Sequence, residues 1–411
     1  MSKYWLYLEP YTFIFHNEKE VALYNSINGA YLLYSFDNHF VKWIIDELEK
    51  PESGYGVLLE EKDLELISFF LKDIRNTFSG DYMPIKDEAS CPFIFKPMCR
   101  IMEQKLQRHD TIEKDILESY GTEILGSLNE VTLYFGKGKE NSVSNEYPYC
   151  KQFAHSLCYD GDSVLQLADY RFLIEQLQDI GIGKLNIVLN DMESDFIYQL
   201  RDLLIGCSFS VYVYCNYEDI GIDKMSVFKE TLPFTYFINI HTVSNVSALQ
   251  KDMSRMKDLN IVWNAIVTSE TELLAVQQLE GRVNIVPYYN GNNEDFFKEY
   301  VYNDLESILE YPIDKQTIFR RRTINENFFG KLFILPDGEV HANMNCASLG
   351  NIKEMALSEI VYKEMTQSTA WFKLREEGRC KQCINKYLCP SVSDYELAMQ
   401  KNDLCHVNSM V

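Results

Sequence analysis

The sequence lacks long apolar runs and has too few basic residues to balance its acidic ones. No stretch of its 411 residues approaches the roughly 20 consecutive apolar residues that a membrane-spanning helix needs. The 39 Lys and Arg residues against 61 Asp and Glu residues leave a formal net charge of −22. Because so acidic a surface repels phosphate backbones and anionic lipid, the sequence predicts neither nucleic acid nor a membrane as a partner.

The first residues also lack the pattern of a secretory signal. The segment MSKYWLYLEP has no basic stretch followed by an apolar one, so we expect a cytoplasmic protein. In a reducing compartment its 11 cysteines are not expected to form disulfides. They would serve as small core residues or as ligands to soft metals.

The composition is that of a globular chain, with 46% hydrophobic and 24% charged residues, and its length predicts two or three domains. Residues 1–85 are predicted to form the first. Aromatic and β-branched runs indicate strands, and Asn28-Gly29 indicates a hairpin turn. Two helical patterns follow, one ending before Pro51 and one covering residues 64–74, with a turn predicted at 54–56. Strands followed by helices predict a compact winged-helix-like domain.

Residues 86–312 are predicted to form an α/β domain of alternating strands and helices. The predicted strands are Val131–Phe135, Lys184–Leu189, Ser210–Cys215, Tyr236–His241, Ile261–Val267 and Val283–Tyr288. The predicted helices between them include Ala168–Ile180, Phe196–Leu204, Val246–Leu259 and Thr271–Leu279. Such units predict a parallel sheet, and about six of them predict an open or partial (β/α) barrel, short of the eight units of a full one.

Residues 313–411 contain the strongest motif. Cys380, Cys383 and Cys389 form a C-x2-C-x5-C run, and Cys405 follows 16 residues later. Two thiolates three positions apart can face one centre, and later cysteines can complete its ligand set. Four soft sulfur ligands favour zinc or an iron–sulfur cluster over hard ions. The residues alone leave these two alternatives open.

This C-terminal region resembles the SPASM domain of radical-SAM peptide maturases. Besides the four cysteines, the matching features are a hairpin with its turn at Gly338, Cys346 and the segment 349–352. The family carries C-x2-C-x5-C-x3-C and a late cysteine, which hold two [4Fe–4S] clusters. The resemblance implies that one cluster is retained, on Cys380, Cys383, Cys389 and Cys405. It implies that the other is lost, because Ser393 stands at the fourth position of the run and only Cys346 matches the remaining ligands.

The chain lacks the C-x3-C-x2-C motif that binds the catalytic cluster of radical-SAM enzymes. After the first predicted barrel strand come Cys150 and Cys158, spaced C-x7-C, and before it Cys91 and Cys99. The second strand leads into Asn-Asp-Met-Glu at residues 190–193 where the family has Gly-Gly-Glu. The resemblance, which over the barrel rests on layout, therefore implies a degenerate, pseudo-radical-SAM barrel without S-adenosylmethionine.

The front domain resembles the recognition element of ribosomal peptide maturation systems, which has the fold of the small pyrroloquinoline-quinone chaperone. The matching stretch is Val21–Tyr31. The resemblance implies that the leader of a precursor peptide adds a strand to an exposed sheet edge. The side chains expected to line its groove are Tyr31, Leu33, Tyr34, Trp43 and Ile44. For any single one of them, a place in the hydrophobic core is an equally good prediction.

Together these patterns predict an accessory protein of ribosomal peptide modification that binds the precursor leader and forms a heterodimer with an active radical-SAM maturase. Two alternatives remain open. One is an iron–sulfur enzyme that uses its single cluster for electron transfer or substrate binding, and that loses activity but not its fold in Cys383→Ala. The other is a scaffold stabilised by zinc, which would be colourless and contain one zinc ion.

Overall fold

The computed structural model describes residues 2–50, 55–85, 121–136, 152–155, 164–190, 194–219, 234–241 and 246–407. The cysteines considered above for a radical-SAM motif, Cys91, Cys99, Cys150 and Cys158, lie outside these ranges. The segment at 191–193 also lies outside them.

The strands of the N-terminal region form two antiparallel sheets of three strands each. In the first, β1 (Lys3–Leu8) lies between β5 (Gly56–Glu60) and β6 (Gly80–Pro84). The second consists of β2 (Thr12–His16), β3 (Glu20–Asn25) and β4 (Tyr31–Ser35), with β4 at one edge. The sequence analysis missed β5 and β6. It predicted only a turn where β5 begins, although Val57 and Leu59 are buried at alternating positions.

Helices of the N-terminal region pack between these sheets. Helix α1 (His39–Leu48) begins at Asn38, whose side chain accepts hydrogen bonds from the next backbone N–H groups. The predicted second helix is two helices, α2 (Glu61–Leu66) and α3 (Ser68–Asn76), because the backbone leaves helical geometry at the buried Ile67. The apolar faces of α1 and α3 share one core with β1, β3 and β5.

Within the described part of the chain, a nine-stranded sheet forms the centre of the molecule. Six of its strands, in chain order, are β7 (Glu130–Phe135), β8 (Lys184–Leu189), β9 (Ser210–Asn216), β10 (Thr235–Ile240), β11 (Ile261–Val267) and β12 (Val283–Pro287). Each pairs in parallel with the next. The predicted strands agree with these within one residue at each end, and the predicted parallel sheet is confirmed.

Helices cover one face of this sheet. They are α4 (Leu167–Ile180), α5 (Ser194–Leu204), α6 (Val246–Arg255) and α7 (Glu270–Val276). Three further helices follow in the chain, α8 (Glu294–Tyr300), α9 (Leu305–Ile308) and α10 (Lys315–Thr323), and their buried residues belong to other clusters. Alternate strand residues such as Leu185 and Ile187 pack with Leu173 and Leu177 of α4 in the main core. None of the helices in the described ranges is long and apolar enough to cross a membrane.

The C-terminal region continues the same sheet. Strand β13 (Lys331–Ile334) pairs in parallel with β7 and antiparallel with β14 (Glu339–His341), which pairs with β15 (Gly350–Asn351). The predicted hairpin is therefore confirmed, and it extends the central sheet. Helix α11 (Leu357–Gln367), a 3-10 turn (Gly378–Gln382) and α12 (Asp394–Met399) follow.

The β2–β3–β4 sheet packs its second face against the C-terminal region. Phe13, Phe15 and Tyr24 share a core with Ile384 and Leu388. The backbone N–H of Ile313 donates to the hydroxyl of Tyr24 at 2.6 Å. Gly29, in the predicted hairpin turn, has φ +76, and a Cβ there would lie 3.3 Å from Pro312. The two ends of the chain are therefore one packed unit at this interface.

Candidate functional site

Four cysteines gather in the C-terminal region, beside the β2–β3–β4 sheet. Cys380 lies in the 3-10 turn and Cys383 directly follows it. Cys380 and Cys389 are buried, whereas Cys383 and Cys405 are half-buried. Cys405 is held by a short parallel bridge to Asn303. It lies within electrostatic range of the other three cysteines, and the ligand set of four cysteines that the sequence analysis selected stays a prediction.

The free thiols are held in a poorly solvated environment. Burial raises the pKa of Cys380 and Cys383, and it raises the pKa of Cys389 to about 12. Without a metal these groups are therefore protonated at neutral pH, and Cys380 donates a hydrogen bond to the carbonyl of Asn402 at 3.2 Å. Binding a soft metal would release these protons, since the thiolate is the ligand.

A buried cation partly offsets the negative charge that four thiolates would create. Nη1 of Arg375 lies 3.8 Å from Sγ of Cys380. The guanidinium also donates to both carboxylate oxygens of Glu396, at 2.7 and 3.0 Å. Arg375 lowers the pKa of Cys380 and Cys389 against the larger effect of burial. A positive group at this position stabilises a ligand set with net negative charge.

The N-terminal sheet reaches the same cysteines. The backbone N–H of Asn385 donates to the sulfur of Cys383. The side-chain oxygen of Asn385 accepts a hydrogen bond from the hydroxyl of Tyr31 at 2.9 Å. The buried Glu20 of β3 adds a negative charge near Cys383, which raises the pKa of that thiol beyond the effect of burial. The site is thus built from both ends of the chain.

The chemistry of the donor set suits a soft-metal centre, either an iron–sulfur cluster or zinc. Among the described residues, no group of three or more His, Cys, Asp or Glu side chains is placed to hold one metal ion. Sulfur ligands of a tetrahedral zinc ion lie about 3.8 Å apart, because each zinc–sulfur bond is about 2.3 Å. A cubane cluster binds its four thiolates at separate iron corners, so it tolerates wider spacing. The N–H of Asn385 and the buried Arg375 would tune such a centre, since hydrogen bonds and charges around sulfur ligands set its properties.

Ser393 stands where the resemblance places a further cysteine, and it caps a helix. Its hydroxyl accepts from the backbone N–H of Glu396 at 3.3 Å and donates to the Glu396 carboxylate at 3.0 Å. Cys346, the other partial match, donates to the carbonyl of Thr369 at 3.3 Å. Both side chains therefore take part in local hydrogen bonds of the fold.

The five residues expected to line a peptide groove lie in different environments. Ile44 is fully buried and Tyr34 is 9% exposed, and both belong to the N-terminal core. Tyr31 packs against the C-terminal region. Leu33 and Trp43 are 48% and 38% exposed. The five side chains therefore do not share one surface in this structure, and two of them present apolar surface to solvent.

The sequence analysis missed a row of asparagines on the face of the central sheet opposite α4. Asn216, Asn239, Asn264 and Asn284 are paired neighbours on four successive strands. Asn264 donates to Asn239 at 3.1 Å, and Asn284 donates to Asn264 at 3.3 Å. His241 contacts Asn216 at 3.1 Å, and burial lowers its pKa to about 3. The recurrence of one asparagine inside several otherwise apolar strands was the available signal.

The same face of the sheet is also polar where β7 and β8 lie side by side. Lys184 and Asn186 donate to one oxygen of the Glu130 carboxylate, at 3.1 and 2.6 Å. Lys331 lies 3.6 Å from the other oxygen. Burial alone would raise the pKa of Glu130, but Lys331 and Lys184 outweigh it and the pKa is lowered. This face therefore contains a fixed negative charge at neutral pH, surrounded by donors.

Comparison with protein families gives one match. Residues 326–384 match the SPASM family, described as an iron–sulfur cluster-binding domain. The matched segment includes Cys346, Cys380 and Cys383 and ends before Cys389 and Cys405. The resemblance of this region to a SPASM domain is thereby confirmed. No curated protein matches the chain.

Solved structures similar to this chain include three of Streptococcus suis SuiB. The complex with S-adenosylmethionine is 12% identical, with a TM-score of 0.42, over 98% of this chain and 99% of that one. The complex with the precursor peptide SuiA is 11% identical, with a TM-score of 0.47, over 98% and 100%. SuiB alone is 12% identical, with a TM-score of 0.45, over 98% and 100%.

Proposed function

We propose that this protein is an iron–sulfur accessory protein of ribosomal peptide modification, which binds a precursor leader and does not cleave S-adenosylmethionine. The observation that carries the proposal is the set of four cysteines in a SPASM-type region, packed directly against the β2–β3–β4 sheet. A metal centre and a peptide-binding element would thus be joined in one rigid unit.

The first part of the proposal is a single [4Fe–4S] cluster on Cys380, Cys383, Cys389 and Cys405. When bound, it would supply a redox-active or structural centre. Around it, Arg375 balances charge and Asn385 donates an N–H to the Cys383 sulfur. The helix-capping role of Ser393 supports the absence of a second, neighbouring cluster.

The second part is a leader-binding edge on β4. Since β4 pairs with β3 alone among the described strands, its outer edge can accept an additional strand. Helix α3 lies beside it: the ring of Phe69, 42% exposed, lies 6.0 Å from that of Tyr34, and the Tyr34 hydroxyl donates to Asp73 at 3.2 Å. We assign Leu33 and Phe69 as apolar contacts of the peptide, with Trp43 on α1 as a further one.

The third part is the partner. The sequence contains no C-x3-C-x2-C motif, so the radical chemistry would come from a separate radical-SAM maturase bound as a heterodimer. This chain would hold the precursor for that enzyme.

Anaerobic purification with iron, sulfide and zinc analysis tests the cluster. We expect about four irons and four sulfides per chain and loss of both in Cys383→Ala. The half-buried Cys207, outside the site, provides the matched control Cys207→Ala, which should retain full iron content. A colourless protein with one zinc ion would contradict the cluster.

Peptide binding and chemistry are tested separately. Where a short precursor peptide is encoded beside this gene, its leader should bind the full chain, and Leu33→Ser or Phe69→Ser should weaken binding without changing iron content. The protein alone should produce no 5′-deoxyadenosine from S-adenosylmethionine, and it should copurify with a neighbouring maturase that contains the motif. Absence of peptide binding, or cofactor cleavage by the isolated chain, would contradict the accessory role.

A further inference from the structure

A cavity of about 520 Å³ lies between the N-terminal region and the loop that carries the cysteines. One wall comes from the β2–β3 turn, from Phe36 after β4 and from α1, and the other comes from residues 381–386. The sulfur-bearing residue Cys383 lines it. The cavity is distinct from the β4 edge, because it lies beyond the end of that strand, where the Phe36 N–H donates to the carbonyl of Lys19 at 2.7 Å.

The cavity is basic in a strongly acidic protein. Lys19 and Lys42 line its N-terminal wall, and Lys381 and Lys386 line the opposite wall. Two carboxylates, Glu18 and Asp46, also reach it, which leaves two excess positive charges. The chain as a whole has a net charge of −22, so this concentration of positive charge is local.

These lysines are not neutralised within the described part of the chain. None of the four forms a salt bridge there. The Nζ of Lys386 donates to the carbonyl of Lys381 at 3.3 Å, and that of Lys42 lies 5.9 Å from the centre of the Phe36 ring. Neither contact compensates a charge with an opposite one.

Arginine side chains elsewhere in the C-terminal region, unlike these lysines, form salt bridges. Arg320 and Arg321 both bind the carboxylate of Glu326, at 2.9 and 2.8 Å. Arg375 binds Glu396 in the same region. These three arginines each contact a carboxylate, whereas the four cavity lysines form no salt bridge with Glu18 or Asp46 in the described part of the chain. A concave site lined by several unpaired ammonium groups attracts anions, since the field of like charges is focused inside it.

We propose that this cavity binds a ligand carrying two or more carboxylates. The lysines extend from both walls, so their positive ends are spread around the space and match separated carboxylates better than one compact phosphate. No arginine fork lines the cavity to bind phosphate in two-point fashion. Phe36 and the lysine stems supply apolar surface for the carbon skeleton of the ligand.

Two sources provide this chemistry: a free small polycarboxylate, or neighbouring Glu and Asp side chains of a bound peptide. The inference goes beyond the proposed function, because the lysines are in place whether or not the cysteines hold a cluster. Failure of iron binding and failure of carboxylate binding are therefore separate results.

The test is calorimetry on the full chain at low ionic strength, with citrate, hexaglutamate and inorganic phosphate as probes. The variants are the pair Lys19→Gln with Lys42→Gln and, from the other wall, the pair Lys381→Gln with Lys386→Gln. The control pair Lys251→Gln with Lys257→Gln removes the same charge from exposed positions outside the cavity. Circular dichroism confirms that each variant is folded.

We expect citrate or hexaglutamate to bind with an affinity that falls as salt is added. Each cavity pair should weaken binding by about tenfold or more, which corresponds to losing two charge-assisted contacts, and the control pair should leave it within about twofold. Preference for citrate identifies a small-molecule site, and preference for hexaglutamate identifies a peptide site. No saturable binding at millimolar concentration, an equal loss in the control pair, or phosphate binding as tight as either probe would overturn the proposal.

Discussion

Nη1 of Arg375 lies 2.7 Å from the carboxylate of Glu396 and 3.8 Å from the sulfur of Cys380. The guanidinium also donates to the carbonyls of Pro390, Ser391 and Asn402. One buried cation therefore connects the cysteine loop, the cap of α12 and the segment before Cys405.

Replacing Arg375 should destabilise the protein strongly. Arg375→Met leaves the buried carboxylate of Glu396 without its partner, which costs about 3–5 kcal/mol. The double variant Arg375→Met with Glu396→Leu should recover part of that loss, because no buried charge remains. Urea unfolding of the three proteins measures both effects. A single variant as stable as the parent would show that the ion pair is dispensable.

Substitutions of Ser393 should lower the stability of α12 and should not change the metal content. Ser393→Ala removes the N-cap of α12 and should lower the free energy of unfolding by about 1 kcal/mol, whereas Ser393→Thr keeps an acceptor and should lower it less. Iron content should remain that of the parent in both. A large fall in iron content of Ser393→Ala that Ser393→Thr does not share would assign the hydroxyl to the cofactor.

Asp394 should make stability depend on pH. Burial raises its pKa to about 6, from an ordinary value of 3.8, although Asn343 donates to it and opposes the shift. The folded state therefore binds this proton more tightly than the unfolded state does. The stabilisation that the bound proton provides is full below pH 3.8 and is lost as the pH rises through about 6. Asp394→Asn should thus raise the melting temperature relative to the parent at neutral pH, and this gain should shrink near about pH 4.

The control for that experiment is Asp295→Asn, since this carboxylate is fully exposed on α8 and lies 3.0 Å from Lys298. Its effect should be small at every pH, because exposed ion pairs contribute little. A gain for Asp394→Asn that is independent of pH would contradict the assigned titration.

Substitutions at Tyr31 and Leu33 should distinguish an effect on stability from an effect on peptide binding. Burial raises the pKa of Tyr31 to about 12, and its hydroxyl donates to Asn385. Tyr31→Phe leaves that buried acceptor unpaired and should cost about 1–2 kcal/mol. Leu33→Ser, at an exposed position, should change stability little and weaken leader binding. The reverse outcome, with Tyr31→Phe affecting only the peptide, would place Tyr31 in the groove.

Local patterns predicted the central strands well, and they selected the cysteines of the candidate site. The strands β8 and β11 are predominantly apolar, each with one asparagine inside it, and their bounds are visible in the sequence. Cys380, Cys383 and Cys389 are close together along the chain, and Cys405 follows later. Strand β5 was missed because a short segment after glycines resembles a turn. The asparagine row was missed because pairing across strands, and not spacing within one, brings its members together.

Long-range contacts were the least predictable feature. Nothing in either segment indicates that β13 pairs with β7, or that Phe13 and Phe15 pack against Ile384 and Leu388. Tyr31 was expected to line the peptide groove because the C-terminal residue that it contacts, Asn385, is distant in sequence. Part of the predicted groove, including Tyr31, is therefore an internal interface.

That interface can form only late in the synthesis of the chain. The contact between Tyr24 and Ile313 joins residues 289 positions apart, so the ribosome must add this whole interval before the first can find the second. At about 5–20 residues per second, the aromatic face of the sheet stays uncovered for roughly 15–60 s. During that time the nascent chain exposes a surface that chaperones recognise, and a truncated product that ends before the cysteine loop would retain that surface permanently.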